Sequence, residues 1–196
     1  MQTTEVTQGQ WKSVMGSNPS RFINCGDDCP VENISLEDAQ KFIERLNLNE
    51  NTNQYRLPTE AQWEYAARAG STTALANGHL SVTSCHLLDT NLNAMGWYCG
   101  NSGWKTHQVA QKQINAWGLY DMHGNVEELC SDWYDGSTYP DKPVTDPMGP
   151  SEGIWRVSRG GNYWSQSAQY CRSAERSYFG NSNSTNGLRL SRTLKP

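Results

Sequence analysis

A chain of 196 residues is long enough to enclose one sizeable hydrophobic core. A formal net charge of −4 and the lack of any Lys/Arg cluster exclude the basic footprint of a nucleic-acid binder, and no apolar run approaches the roughly 20 residues of a membrane span. Eight Trp and nine Tyr argue against disorder despite a low mean hydropathy, and frequent Gly, Asn and Ser point to a loop-rich globular protein.

The opening Met1–Glu5 lacks the pattern of a secretory leader and reads as mid-domain sequence, so a leader or first strands are expected ahead of it. Thr7-Gln8-Gly9-Gln10 is a capping-box pattern and predicts a short helix with Trp11, Val14 and Met15 on one side. Cys25-Gly26-Asp27-Asp28-Cys29 could close a small loop. The six cysteines (Cys25, Cys29, Cys85, Cys99, Cys130 and Cys171) are nevertheless expected to be free, partly buried thiols. They leave the redox compartment undecided, and no Cys/His group has zinc spacing. Ser35-Leu36-Glu37-Asp38 opens a second helix, with Leu36, Ala39, Phe42, Ile43 and Leu46 at helical spacing, which stops at the Asn-rich residues 47–53. A third helix begins at Pro58-Thr59-Glu60-Ala61-Gln62, has Trp63, Ala66 and Ala67 on its apolar side, and ends at Gly70.

Beyond Gly70 helical periodicity disappears. Gly96–Cys99 and Leu129–Tyr134 read as short strands, and much of residues 71–155 as ordered loop of the kind that is functional or stapled. Arg156–Arg159 and Leu188–Ser191 read as strands flanking a terminal segment. With no repeat and no linker, residues 1–196 are expected to form a single domain. The terminal segment, Asn162–Asn186, has six Ser, four Asn and five aromatic residues, a mixture suited to contact: Tyr and Trp offer area at small entropic cost, Ser and Asn adaptable hydrogen bonds. Trp164 is expected to pack inward. The predicted contact residues are Tyr163, Ser165, Ser167, Gln169, Tyr170, Glu175, Tyr178, Phe179, Asn181 and Asn183. The plainer alternative is a solvated surface loop.

Several runs together resemble one family. Glu5–Trp11, Met15–Ser20 and Pro30–Ser35 look like the opening of the formylglycine-generating enzyme (sulfatase-modifying factor) domain. Tyr55–Arg68 is similar to that family's most recognisable motif, Asn115–Val126 to its second, and Arg159-Gly160-Gly161 with Gly187-Leu188-Arg189-Leu190 to its closing pair. The resemblance spans nearly the whole chain. It implies an α+β, C-type-lectin-like fold with a small twisted antiparallel sheet, two main helices and much irregular loop.

The catalytic members of that family oxidise a substrate cysteine to formylglycine with copper held by two cysteines, soft ligands suited to Cu(I). Counting forward from Arg159, the two cysteine positions fall on Ser165 and Tyr170; only a shifted alignment would bring Cys171 to the second. No copper is therefore expected. His79, His86, His107 and His123 lack helical ligand spacing, and no nucleophile elbow or phosphate-binding glycine loop occurs. The resemblance also implies calcium at Asp121, Gly124, Val126 and Glu128, through two carboxylates and two backbone carbonyls. Equally, Asp121 could cap a turn and Glu128 join an ion pair; Glu127 and Leu129 stand where the family usually has Trp.

The terminal arrangement further resembles the variable proteins of diversity-generating retroelements, one of them from Treponema, whose variable region runs from Arg-Gly-Gly to a Gly-Phe-Arg-like strand. Here Cys171–Ala174 and Arg176 match the scaffold, with Leu188 in place of Phe. The expected function is a non-catalytic display protein that binds an unknown protein or cell-surface ligand, at the cell surface or outside the cell. The alternative is a copper oxidase or another enzyme of the same family.

Overall fold

Three reciprocal capping boxes start three of the four α-helices among the described residues. The computed structural model describes residues 1–136, 142–179 and 184–193. In it Thr7 and Gln10 cap α1 (Gln8–Met15), Ser35 and Asp38 cap α2 (Leu36–Asn49), and Thr59 and Gln62 cap α3 (Glu60–Arg68). Each cap satisfies backbone N–H groups that the first turn leaves open, worth about 1 kcal/mol apiece. A fourth helix, α4 (Thr90–Met95), was not expected from the sequence; Asp89 caps it through the Leu92 N–H. At 6 residues it is too short to show a period.

Strands β1 (Tyr55–Arg56) and β6 (Ser191–Arg192) pair antiparallel as a small ribbon. The main sheet has the order β4-β3-β2-β5, from β2 (Glu127–Tyr134), β3 (Trp155–Arg159), β4 (Arg176–Phe179) and β5 (Asn186–Gly187). The β4-β3-β2 part is antiparallel, but β5 joins β2 in parallel, so the sheet is mixed rather than purely antiparallel. The β2–β3 register shifts between Leu129 and Trp133, a bulge-like irregularity.

Two strand expectations fail for reasons of backbone bonding. Gly96–Tyr98 is irregular and leads into a turn at Cys99–Gly100, closed when Asn101 and Ser102 donate to the Tyr98 carbonyl. Leu188–Leu190 lies between β5 and β6, and its carbonyls accept from the N-terminal segment instead: Val6 N–H to Leu188 O at 2.9 Å and Gln2 N–H to Leu190 O at 2.8 Å. The cysteine expectation fails too. Cys25–Cys29 and Cys85–Cys99 are disulfides, and only Cys130 and Cys171 are free. The second bridge staples the loop-rich stretch that carries no helical period.

The core lies in three clusters. The first joins α1 and α2 to the sheet through Trp11, Phe42, Leu129, Phe179 and Leu188, with the Trp11 and Phe42 rings stacked at 4.9 Å. The second centres on Trp63 of α3 with Met122, Cys130 and Val157, and the third gathers Leu75, Leu92, Tyr98 and Cys171 beneath the loops.

Candidate binding surface and buried charge network

The terminal segment begins at a backbone that only glycine can make. Gly161 has φ +70°, and a Cβ there would sit 2.8 Å from both the Cys171 Sγ and the Tyr170 carbonyl oxygen. Close packing at this point folds residues 162–171 back on the core. Gly187 closes the segment in a similar way, since a Cβ would meet the Val31 carbonyl oxygen at 2.7 Å. Between these points the segment descends through a 3-10 turn at Ala168–Cys171 into edge strand β4.

The predicted contact residues separate into two groups. Tyr163 is 1% exposed, Ser165 7% and Phe179 5%, so these three face inward rather than outward. Tyr163 packs edge-on against Phe22 with centroids 5.2 Å apart, Ser165 Oγ accepts from the Asn162 N–H at 3.0 Å, and Phe179 belongs to the first core cluster. Trp164 does the opposite of what was expected. It is 51% exposed, forming an edge contact with half-exposed Trp104 at 5.0 Å. The two residues sit in a turn, closed when the Ser165 N–H donates to the Asn162 carbonyl at 3.2 Å, which turns Tyr163 into the core and Trp164 outward. Gln169, Tyr170 and Tyr178 are exposed; Ser167 and Glu175 are half-buried. Tyr178 stacks on Trp155 at 4.8 Å and leans on Tyr134 at 5.2 Å, a cross-strand aromatic group on β2, β3 and β4. Asn181 and Asn183 lie outside the described residues.

The long motifs meet one another below this surface. Trp63 and Glu60 come from the Tyr55–Arg68 motif, Glu128 follows the second motif, and Arg159 and Arg189 come from the closing pair. Arg189, fully buried, grips Glu128 with Nη2 to Oε1 at 2.7 Å and Nε to Oε2 at 2.9 Å, while the Trp63 indole N–H donates to Glu128 Oε2 at 2.6 Å. Arg159 pairs with Glu64 and lies 3.5 Å from Glu60, and Arg176 donates to both Glu60 oxygens at 2.8 Å. Buried charges persist only when paired and hydrogen-bonded. The composition at these positions therefore reports scaffold, and it bolts both ends of the terminal segment to α3.

Glu5 and Asp121 border the same network. Both are buried, and Glu5 accepts from the Val126 N–H at 3.0 Å and the Asn125 amide at 2.8 Å. Burial, with Asp121 and Glu128 nearby, raises the Glu5 carboxyl well above its ordinary range. Burial also raises Asp121 to about 6. Asp121 Oδ2 accepts from the Ala110 N–H at 2.8 Å, but buried Oδ1 has no hydrogen-bond partner among the described residues. An orphaned carboxylate oxygen suits a cation, so Asp121 fits the calcium set. Glu128 fits it less simply, because both its oxygens already hold Arg189. Among the described residues no three His, Cys, Asp or Glu side chains gather as a metal site. Calcium at this place therefore depends on the carbonyls of Gly124 and Val126 besides the two carboxylates.

The remaining chemistry is buried. Cys130 and Cys171 occupy different core clusters, and burial pushes both thiols up, away from the thiolate form. His123 is fully buried; its Nδ1 donates to the Cys171 carbonyl at 2.8 Å and its Nε2 accepts from the Ala76 N–H at 3.1 Å. That pairing fixes the neutral tautomer, and burial lowers its pKa to about 4. His123 is thus a structural link between loops.

A mixed sheet with flanking helices, looped-out connections and a closing segment anchored at both ends defines the class: an α+β, C-type-lectin-like domain. The chain belongs to the sulfatase-modifying factor enzyme 1-like family, whose domain matches residues 1–194. It is 32% identical to Treponema denticola variable protein 1, with a TM-score of 0.85 over 96% of this chain and 82% of that one. It is 31% identical to chaperone protein LppX of Paenibacillus barcinonensis, over 81% of this chain and 67% of the relative. It is 33% identical to the formylglycine-generating enzyme of Streptomyces coelicolor over 68% of this chain, spanning only 42% of that enzyme's length.

Proposed function

We propose that this is a non-catalytic ligand-binding display protein, diversified by a retroelement, whose terminal segment forms the binding surface. The observation that carries the reading is the contrast within residues 162–186. Both ends are locked by glycine packing and buried ion pairs, yet Trp164, Tyr170 and Tyr178 stand 51%, 41% and 51% exposed. Aromatic side chains held out by a rigid base lose little entropy on contact. The revised contact set is Trp164, Ser167, Gln169, Tyr170, Glu175 and Tyr178. The likeness to the Treponema variable protein supports the same reading. So does the thiol chemistry: counted without gaps from Arg159, the family's cysteine positions fall on Ser165 and Tyr170, a shifted alignment would supply Cys171 alone, and the two free thiols are buried in separate clusters, which does not fit a two-thiolate copper centre.

Two disulfides support an oxidising compartment, at the cell surface or outside the cell. Among the described residues no helix is long and apolar enough to cross a membrane. Calcium at Asp121, Gly124, Val126 and Glu128 forms part of the proposal as a support for the scaffold. Two experiments test the function. A genomic template copy of the codons for residues 162–186, differing only at adenines, is the expected signature of diversification. Incubation with Cu(I) and a sulfatase-type cysteine peptide is expected to yield no aldehyde by mass spectrometry; copper-dependent turnover would overturn the display reading.

A further inference from the structure

A cavity of about 740 Å³ opens beside the terminal segment, between the Arg21–Cys25 stretch and the loop that carries Trp97 and residues 105–111. Its volume lies in the range of small-molecule sites. The charge of its lining is opposite to that of the chain. The protein carries a formal −4, yet this cavity is bordered by Arg21 and Lys105 and by no carboxylate. Neither cation has an ion-pair partner among the described residues. Glu32 is the carboxylate whose charge acts on Arg21: its Oε1 accepts from the Phe22 N–H at 2.8 Å and its buried Oε2 has no hydrogen-bond partner among the described residues, but it forms no ion pair with Arg21 and does not line the cavity.

The rest of the lining is half apolar and half hydrogen-bonding. Phe22 and Trp97 supply the apolar surface, and Trp97 is held in place by His107 stacked at 3.8 Å and by the Lys112 ammonium 3.9 Å from its ring centre. Asn24, Gln108 and Gln111 add amide groups. Two lining residues hold buried polar atoms that have no partner among the described residues: the Trp97 indole N–H and the Thr106 hydroxyl. Burial lowers the His107 pKa, against the hydrogen bond to the Ser102 carbonyl at 2.7 Å, which raises it.

We infer that this cavity binds an organic carboxylate: an anionic head between Arg21 and Lys105, with an apolar body against Phe22 and Trp97. Such a head occurs at the C-terminus of a peptide and on a free organic acid. The site is mechanically joined to the terminal segment. Ser102 Oγ donates to the Tyr163 carbonyl at 2.8 Å and accepts from the Trp104 N–H at 3.1 Å, and Tyr163 seats its ring against Phe22. The inference stands independently of retroelement diversification, since none of the cavity residues named belongs to residues 162–186.

The test is calorimetric titration with four probes: acetyl-Leu-Phe with a free carboxylate, the same peptide amidated, 3-phenylpropionate, and inorganic sulfate. The expected result is saturable binding of at least one carboxylate, at least tenfold weaker binding of the amidated peptide, and no comparable binding of sulfate. Binding of the peptide alone assigns the head to a chain terminus; equal binding of 3-phenylpropionate assigns it to a free acid. Arg21→Ser with Lys105→Ser, both at exposed positions, is expected to leave the circular dichroism spectrum unchanged and to weaken binding at least tenfold. Trp164→Ala is expected to leave carboxylate binding unchanged, which separates this site from the display surface. The inference is overturned if neither carboxylate saturates, if the amidated peptide or sulfate binds as well, or if the double variant binds like the parent.

Discussion

Replacing Arg189 with Met probes the network that holds the whole closing segment. Arg189 is fully buried, its partner Glu128 is 1% exposed, and their closest approach is 2.7 Å. Met keeps much of the side-chain volume but leaves Glu128 charged in the interior with only the Trp63 indole N–H as a partner, and it strips the donors from the Gln2 and Tyr120 carbonyls at 3.1 and 2.7 Å. Breaking one side of a buried pair costs about 3–5 kcal/mol. For a chain of this length each kcal/mol moves the melting temperature by about 2–4 °C, so a drop of about 6–20 °C is expected. Neutralising the stranded acid should reverse part of that loss. The double variant Glu128→Gln with Arg189→Met is therefore expected to melt above Arg189→Met alone, since an apolar or neutral substitute for a whole buried pair is often tolerated. Urea unfolding followed by Trp fluorescence gives the free energies. A single variant within about 1 kcal/mol of the parent, or a double variant no better than the single, would refute the view that this pair is a coupled scaffold bolt.

Further outcomes follow from other parts of the structure. His123 is buried neutral with a pKa of about 4 against roughly 6.5 when unfolded, so its contribution is complete above pH 6.5 and lost as pH falls toward 4; the integrated loss is about 3 kcal/mol, and His123→Gln should flatten that part of a stability–pH curve. Calcium at pH 7.5, where Asp121 is ionised, is expected to raise the melting temperature of the parent but not of Asp121→Ala; identical melts with calcium and with chelator would remove the ion from the scaffold. Tyr163→Ala should cost about 3 kcal/mol or more through cavity formation, whereas serine at Trp164, Tyr170 and Tyr178 should each cost less than about 1 kcal/mol by thermal melting. Gly161→Ala should destabilise more than either group, because the new methyl group meets the Cys171 sulfur in a left-handed backbone.

Local signals were legible in the sequence wherever a short-range rule decides the outcome. The three capping boxes act within four residues, so Thr7, Ser35 and Thr59 announced their helices. The long motifs from Tyr55 to Arg68 and from Arg159 to Gly161 were enough to indicate the family and its α+β architecture. What the sequence could not decide is which distant groups meet. The parallel seat of β5, the pairing of Cys85 with Cys99, and the use of the Leu188 carbonyl by Val6 all depend on contacts between segments far apart in the chain. The terminal segment shows the same division. Its composition led to Tyr163 being expected at the surface and Trp164 inside, and the two adjacent aromatic residues exchange those places. Only tertiary packing, with Phe22 on one side and open solvent on the other, turned Tyr163 into core and left Trp164 half exposed.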